Sequence, residues 1–301
     1  MKVIAVASQK GGVGKTSTCV NLGCRLAMDG LNVLILDLEP QAQAGSALGI
    51  NLTSESDSVH SLGLALSDAL GRVERKALRD IMFDRSELVE EFGGGRLCLL
   101  ASEEATMTMA QNAFVTVPFT MTPVLRRMLV KEFSEDFDYI LIDTPPAVSS
   151  LNAVGMAAAD FVLSLVNPEY PTVKGAMILK EAVQAVESLT RGECTPRFLG
   201  AFMNRSNPES SWTVEDVNIL GLMINSGLYP YVTDVRRDRR ISRAYFDGKP
   251  AVLQHPNHSC GKQYTELLQE ILDRTTTPEE QWPIAEMPGA EEETEEEAED
   301  A

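Results

Sequence analysis

With 301 residues and 44% apolar content, the chain is long enough for one substantial core. Its net charge of −18 is unevenly spread: residues 278–301 hold eleven acids and no base, leaving 33 of the 44 acids against 26 bases in the body. No run of eighteen apolar residues occurs and the N-terminus enters a strand pattern directly, so neither a membrane span nor a signal peptide is expected, and a cytoplasmic location is.

Residues 3–7 form a β-branched apolar run, followed by SQKGGVGKTS at 8–17 and a helix-like segment from Lys15 to about Ala27. A strand, a glycine turn and a helix N-terminus leave free backbone N–H groups and a helix dipole aimed at the turn, which suits an anion. Gly11, Gly12 and Gly14 let the backbone approach phosphates, Val13 lies within the loop, Lys15 offers a cation to β/γ-phosphates, and the Thr16 hydroxyl, followed by Ser17, can ligate Mg²⁺. The usual phosphate-loop formula has glycine at position 9, where this chain has Gln9, and a second lysine, Lys10, precedes the glycines.

A second apolar run, residues 32–36, ends in DLEPQAQAGSALG, which places the Asp37 and Glu39 carboxylates on one side of a strand end. Residues 51–57 read as a loop, 62–70 as a helix, 97–100 as a strand, and the methionine-rich 106–113 as core packing or a contact surface. Residues 123–133 have helical apolar spacing, and DYILIDTPP at 138–146 runs into Asp143, a carboxylate suited to holding Mg²⁺ through water. Further strands are expected at 161–166, 197–203 and 228–232, with a long amphipathic helix at 172–188 and a closing one at 264–271. Strands alternating with helices predict an α/β fold, a mostly parallel central sheet with helices on both faces. Cys19, Cys24, Cys98, Cys194 and Cys260 have no metal-like spacing and read as buried reduced thiols.

Five arginines, Arg236, Arg237, Arg239, Arg240 and Arg243, crowd into DVRRDRRISR at 234–243. Guanidinium groups in a strip suit a phosphate backbone and supply duplex affinity without base reading. The alternative is a solvated helix start pairing with the body's acids.

The KGGVGKT form with Lys10, together with DLEPQ and IDTPP, resembles the deviant Walker A motif of the ParA/MinD family of ATPases, over about residues 1–273. That resemblance implies a SIMIBI-type P-loop NTPase domain over 1–273, with ATP and Mg²⁺ as ligands. It implies that Lys10 reaches the partner's nucleotide in an ATP sandwich dimer, that Asp37 lies near the magnesium, and that Glu39, where the family has aspartate, orients the attacking water. Asn204 would read the adenine; a turn role is the alternative. Arg237 and Arg240 best match the arginines with which Soj-like members bind nucleoid DNA, and the implied partners are non-specific DNA and a ParB-like adaptor that stimulates hydrolysis. DNA or cargo partitioning and a nucleoid-associated location follow as expectations. A MinD-like membrane-cycling ATPase is disfavoured by the acidic terminus, and an ATP-locked DNA-coating scaffold with little hydrolysis is the remaining alternative. Residues 274–301 are expected to form an acidic, disordered tail, either solubilising or competing with DNA for the arginines.

Overall fold

The apolar runs become strands because each is buried on both faces, the pattern of a parallel sheet covered by helices. In the computed structural model, which describes residues 1–53, 58–71, 77–146 and 149–288, eight strands form one sheet. They are β1 (Lys2–Ala7), β2 (Val33–Asp37), β3 (Phe83–Asp84), β4 (Leu97–Leu100), β5 (Tyr139–Asp143), β6 (Phe161–Val166), β7 (Arg197–Ser206) and β8 (Val235–Arg236). Their order is β3-β4-β2-β5-β1-β6-β7-β8, and every pairing is parallel except that of β3 with β4 at one edge. The expected strand at 228–232 does not form; the edge beyond β7 is taken instead by the two residues of β8, which carries Arg236.

Alternation along β1 sends Val3, Ala5 and Ala7 into one core and Ile4 and Val6 into the other. The first core is closed by α3 (Leu62–Gly71), α4 (Glu104–Val115), α5 (Val124–Phe133), α6 (Ser150–Ala158), α7 (Tyr170–Leu189) and α8 (Val214–Asn225). The opposite core is closed by α1 (Lys15–Met28), α2 (Gln43–Ala47), α9 (Arg239–Asp247), α10 (Ala251–Gln254) and α11 (Ser259–Arg274). Met107 of α4 is fully buried, so the methionine-rich segment serves packing there, although Met109 is exposed. All five cysteines are buried free thiols.

The chain does not leave the body after residue 273 or at Pro278. Arg274 is fully buried, and its guanidinium donates to the carbonyls of Tyr229 (2.7 Å) and Pro283 (2.6 Å) and to Glu270 (3.1 Å). The same guanidinium stacks 3.7 Å from the Tyr231 ring and 5.2 Å from that of Trp282, and the Ala285 N–H donates to the Pro230 carbonyl. Trp282 is only 6% exposed. Composition made this stretch look uniformly solvated, but one tryptophan and a buried arginine whose charge is met by carbonyls and Glu270 anchor it. The remainder of the expected tail, 289–301, lies outside the described residues, as do parts of the 51–57 loop.

Candidate nucleotide site

Three neighbouring strands, β2, β5 and β1, end together at one edge of the sheet. The parallel register sets Asp37 beside Asp143, and Asp143 beside Val6, one residue before the end of β1. Ligands of open α/β sheets sit beyond strand carboxyl ends of this kind. From β1 the chain turns through the glycine loop into α1, and Gly14, at φ 106°, is the residue before that helix. A Cβ there would lie 2.3 Å from Asn204 Nδ2 and would require a left-handed backbone, so both space and dihedral demand glycine.

A cleft of about 640 Å³ opens over this edge, lined by Gly11, Gly12, Gly14, Lys15, Thr16, Ser17, Glu39, Gln41, Gln43, Ser46, Pro146, Arg205, Ser242 and Tyr245. The expected phosphate-loop residues Gly11, Gly12, Gly14, Lys15, Thr16 and Ser17 therefore meet Glu39 in one place, while Val13 is buried behind them. Asp37 and Asp143, at the strand ends, are fully buried and lie beneath the lining residues, as a floor behind Lys15 and Thr16 and not as part of the cleft's open surface.

The two floor carboxylates differ in their partners. Asp37 accepts from the backbone N–H groups of Glu39 (3.0 Å), Ala44 (3.0 Å) and Gly45 (3.4 Å), so it organises the segment after β2. Neither oxygen of Asp143 has a hydrogen-bond partner by geometry among the described residues. Burial pushes the Asp143 carboxyl up to about 7, opposed by the nearby Thr16 hydroxyl and the Lys15 ammonium. Burial and then the charge of Asp143 push Asp37 up as well. Glu39 is raised by burial and lowered by Lys15, and Lys15 is itself lowered by burial against the pull of Asp143 and Glu39. A buried carboxylate with unpartnered oxygens beside a threonine hydroxyl, under a glycine cradle and a lysine, is a donor set that fits Mg²⁺ bound to a polyphosphate.

A second cleft, about 570 Å³, adjoins the first and is lined by Gly14, Ser17, Asn204, Arg205, Arg236, Arg237, Asp238, Arg239, Ile241, Ser242 and Tyr264. Asn204 lies near the end of β7 here, and its Nδ2 donates one N–H to the Val13 carbonyl, so it braces the phosphate loop while its second N–H and Oδ1 are left for a ligand. Arg236, Arg237 and Arg239 thus come to the edge of the nucleotide site rather than to a remote face. Arg240 is paired with Asp238 at 3.1 Å and Arg236 lies 3.8 Å from Asp234, whereas Arg237, Arg239 and Arg243 have no ion pair among the described residues. Lys10 lies outside both clefts, its ammonium ion-paired with Glu169 just before α7.

Sequence reasoning missed Arg205, which lines both clefts from a left-handed backbone (φ 58°), and Ser242 and Tyr245 of α9. The Tyr245 hydroxyl sits 3.0 Å from Ser17 Oγ. An asparagine–arginine pair at a strand end carries a weak local signal; a tyrosine more than two hundred residues from its partner carries none.

The family model described as an AAA domain (AAA_31) matches residues 1–194, well over half of the chain. The Bacillus subtilis sporulation initiation inhibitor protein Soj is 27% identical over 270 residues, 90% of this chain and 98% of Soj. The chromosome partitioning protein ParA of Caulobacter vibrioides is 28% identical over 284 residues, 91% and 95% of the two chains. Among solved structures, the ATP complex of a point variant of Cyanothece McdA superposes with a TM-score of 0.72 at 23% identity, over 91% of this chain and 96% of that one, a likeness of fold. With its Lys10-containing phosphate loop, the paired strand-end aspartates and this match, the chain belongs to the ParA/Soj/MinD family of deviant Walker A ATPases.

Proposed function

We propose that this protein is a positioning ATPase that dimerises around ATP, binds DNA without sequence preference in that state, and is reset by hydrolysis. The observation that carries the reading is the junction of α9 with the nucleotide cleft. Arg236, Arg237 and Arg239 line a cleft shared with Gly14 and Ser17, and α9 packs on α2, the helix that Asp37 tethers through Ala44 and Gly45. A nucleotide in the cleft therefore touches the same elements that aim the arginines.

Within the site, the loop N–H groups and Lys15 would hold the phosphates, Asp143 and Thr16 would hold the metal ion, and Asp37 keeps residues 39–45 in place. Mg²⁺-bound ATP supplies the phosphoanhydride bond that is cleaved. Glu39, poised near Lys15, is the carboxylate that orients the attacking water. Lys10 is assigned to the partner's nucleotide, which requires it to leave Glu169. The chromosome partitioning protein ParA is the relative that supports a DNA-segregating role, and the ParB-like adaptor is what the family resemblance of the motifs implies. A lipid-binding role is opposed by α11, whose apolar residues Leu267, Leu268 and Ile271 are buried against the body.

The test is binding to a random-sequence duplex with ATP, ADP or no nucleotide across a salt series. Binding confined to ATP, with a log–log salt slope of about −3 to −4 for three to five phosphate contacts, is expected. Binding indifferent to nucleotide, or none at all, overturns the proposal. Glu39 in place of aspartate favours one second reading, an ATP-locked scaffold. Turnover that stays negligible with DNA and a cognate adaptor would select it.

A further inference from the structure

Three residues from two separate segments converge beside the arginine cluster. Asp238 immediately precedes α9, His258 immediately precedes α11, and Cys260 lies in the first turn of α11. One imidazole nitrogen, the Cys260 Sγ and one Asp238 oxygen all lie within 4.8 Å of one another. The turn that brings them together is tight: a Cβ on Gly261 would meet the His255 carbonyl at 2.3 Å, so glycine lets residues 255–258 fold back over the start of α11.

The donor set is mixed and graded in exposure, with Cys260 fully buried, the Asp238 side chain 14% exposed and His258 open to solvent. Nitrogen, sulfur and oxygen together suit a borderline divalent cation and do not suit Mg²⁺, which prefers oxygen alone. A tetrahedral Zn²⁺ keeps its donors roughly 3.5 Å apart, so donors already within 4.8 Å of one another have about an ångström to close. Without metal, the imidazole caps α11: its Nδ1 accepts from the Ser259 N–H at 2.9 Å and lies 3.1 Å from Ser259 Oγ. Coordination through Nε2 moves the ring proton to Nδ1, where Ser259 Oγ accepts it in exchange for the cap bond.

We propose that Asp238, His258 and Cys260 form a Zn²⁺ site with one open coordination position, outside the phosphate-loop cleft and beside the second cleft, which Asp238 lines. Binding releases the thiol proton and ties the start of α9 to the start of α11, closing the segment that carries Arg239, Arg240 and Arg243. In the metal-free protein Asp238 is neutralised by Arg240, whose guanidinium lies 3.1 and 3.3 Å from its two oxygens. A cation on Asp238 takes over that role and frees Arg240. What the freed arginine does for DNA rests on the functional reading above; the metal site does not.

Co²⁺ titration of the full-length protein without nucleotide tests the site directly. One Co²⁺ per chain should produce a thiolate-to-metal charge-transfer band, displaced by one equivalent of Zn²⁺. Co²⁺ at the Asp143 floor would have oxygen ligands and no such band. Cys260→Ser should abolish the band. His258→Ala, which alters an exposed ring and spares the core, should weaken Zn²⁺ binding by more than the ~10-fold that loss of an outer-shell partner costs. Absence of the band, its persistence in Cys260→Ser, or unchanged Zn²⁺ affinity in both His258→Ala and Asp238→Asn overturns the proposal.

Discussion

Asp37 and Asp143 end adjacent strands with both side chains fully buried, and only Asp37 has its oxygens met by backbone N–H groups. The fold therefore carries the cost of a buried carboxylate that has no hydrogen-bond partner among the described residues, a cost that the proposed metal ion would offset. Because the folded-state pKa of Asp143 is raised to about 7 from 3.8, the folded protein holds a proton that the unfolded chain has lost. Stability then falls as pH rises from about 4 to about 7 and levels off above it, by on the order of a few kcal/mol at 1.36 kcal/mol per unit. Asp143→Asn removes this penalty. In EDTA and without nucleotide, the variant should melt above wild type at pH 8, with the gap shrinking toward pH 4, while its Mg²⁺-dependent ATP binding is lost. A gap independent of pH would show that Asp143 does not titrate in this range. At Glu39 the expectation concerns rate: shortening the side chain to aspartate draws the carboxylate back by roughly 1–1.5 Å, a displacement that can cost about 10²-fold. Single-turnover hydrolysis should be slower in Glu39→Asp with ATP affinity retained; a faster variant would mean that glutamate is the detuned choice.

At the scale of elements, a short helix connects the arginines to the phosphate loop. Tyr245 meets Ser17 from α9, while Arg243 of the same helix is exposed. Arg237→Ala/Arg240→Ala should abolish duplex binding near 0.15 M salt and flatten the salt slope by about 1 per arginine, with ATP affinity measured alongside because Arg237 lines the cleft shared with Gly14 and Ser17. Duplex affinity that survives the double substitution would move the DNA contact elsewhere. The phosphate loop and both strand-end aspartates were legible in the sequence because each role is fixed within a few residues of backbone: a glycine turn into a helix, an apolar run that stops at a carboxylate. The arginine cluster was legible as composition, but its place at the nucleotide cleft was not, since that depends on β8 adding to β7 and on α9 folding back over α2. The expected strand at 228–232 fails for a related reason. Its apolar residues Leu228 and Tyr231 are buried by contact with β7 and Arg274, which needs no strand geometry.

For the whole molecule, charge and packing divide the C-terminal region at a different point from composition. Residues 275–288 return to the sheet's edge through Trp282, Arg274 and the Ala285–Pro230 hydrogen bond, whereas eight of the 44 acids lie beyond residue 288. Two truncations should therefore behave differently. Ending the chain after Thr277 removes the Trp282 side chain from its buried site, a loss of about 3–5 kcal/mol, and should lower Tm by several degrees. Ending it after Pro288 should leave Tm unchanged, because the anchoring contacts remain. Only this second truncation tests whether the acidic run competes with DNA for the arginines, since the first changes stability as well. If it does, removing eight negative charges should tighten duplex binding in ATP, most at low salt where charge acts at longest range. Equal affinity of the shortened and full chains across the salt series would reject competition and leave solubility as the role of that run.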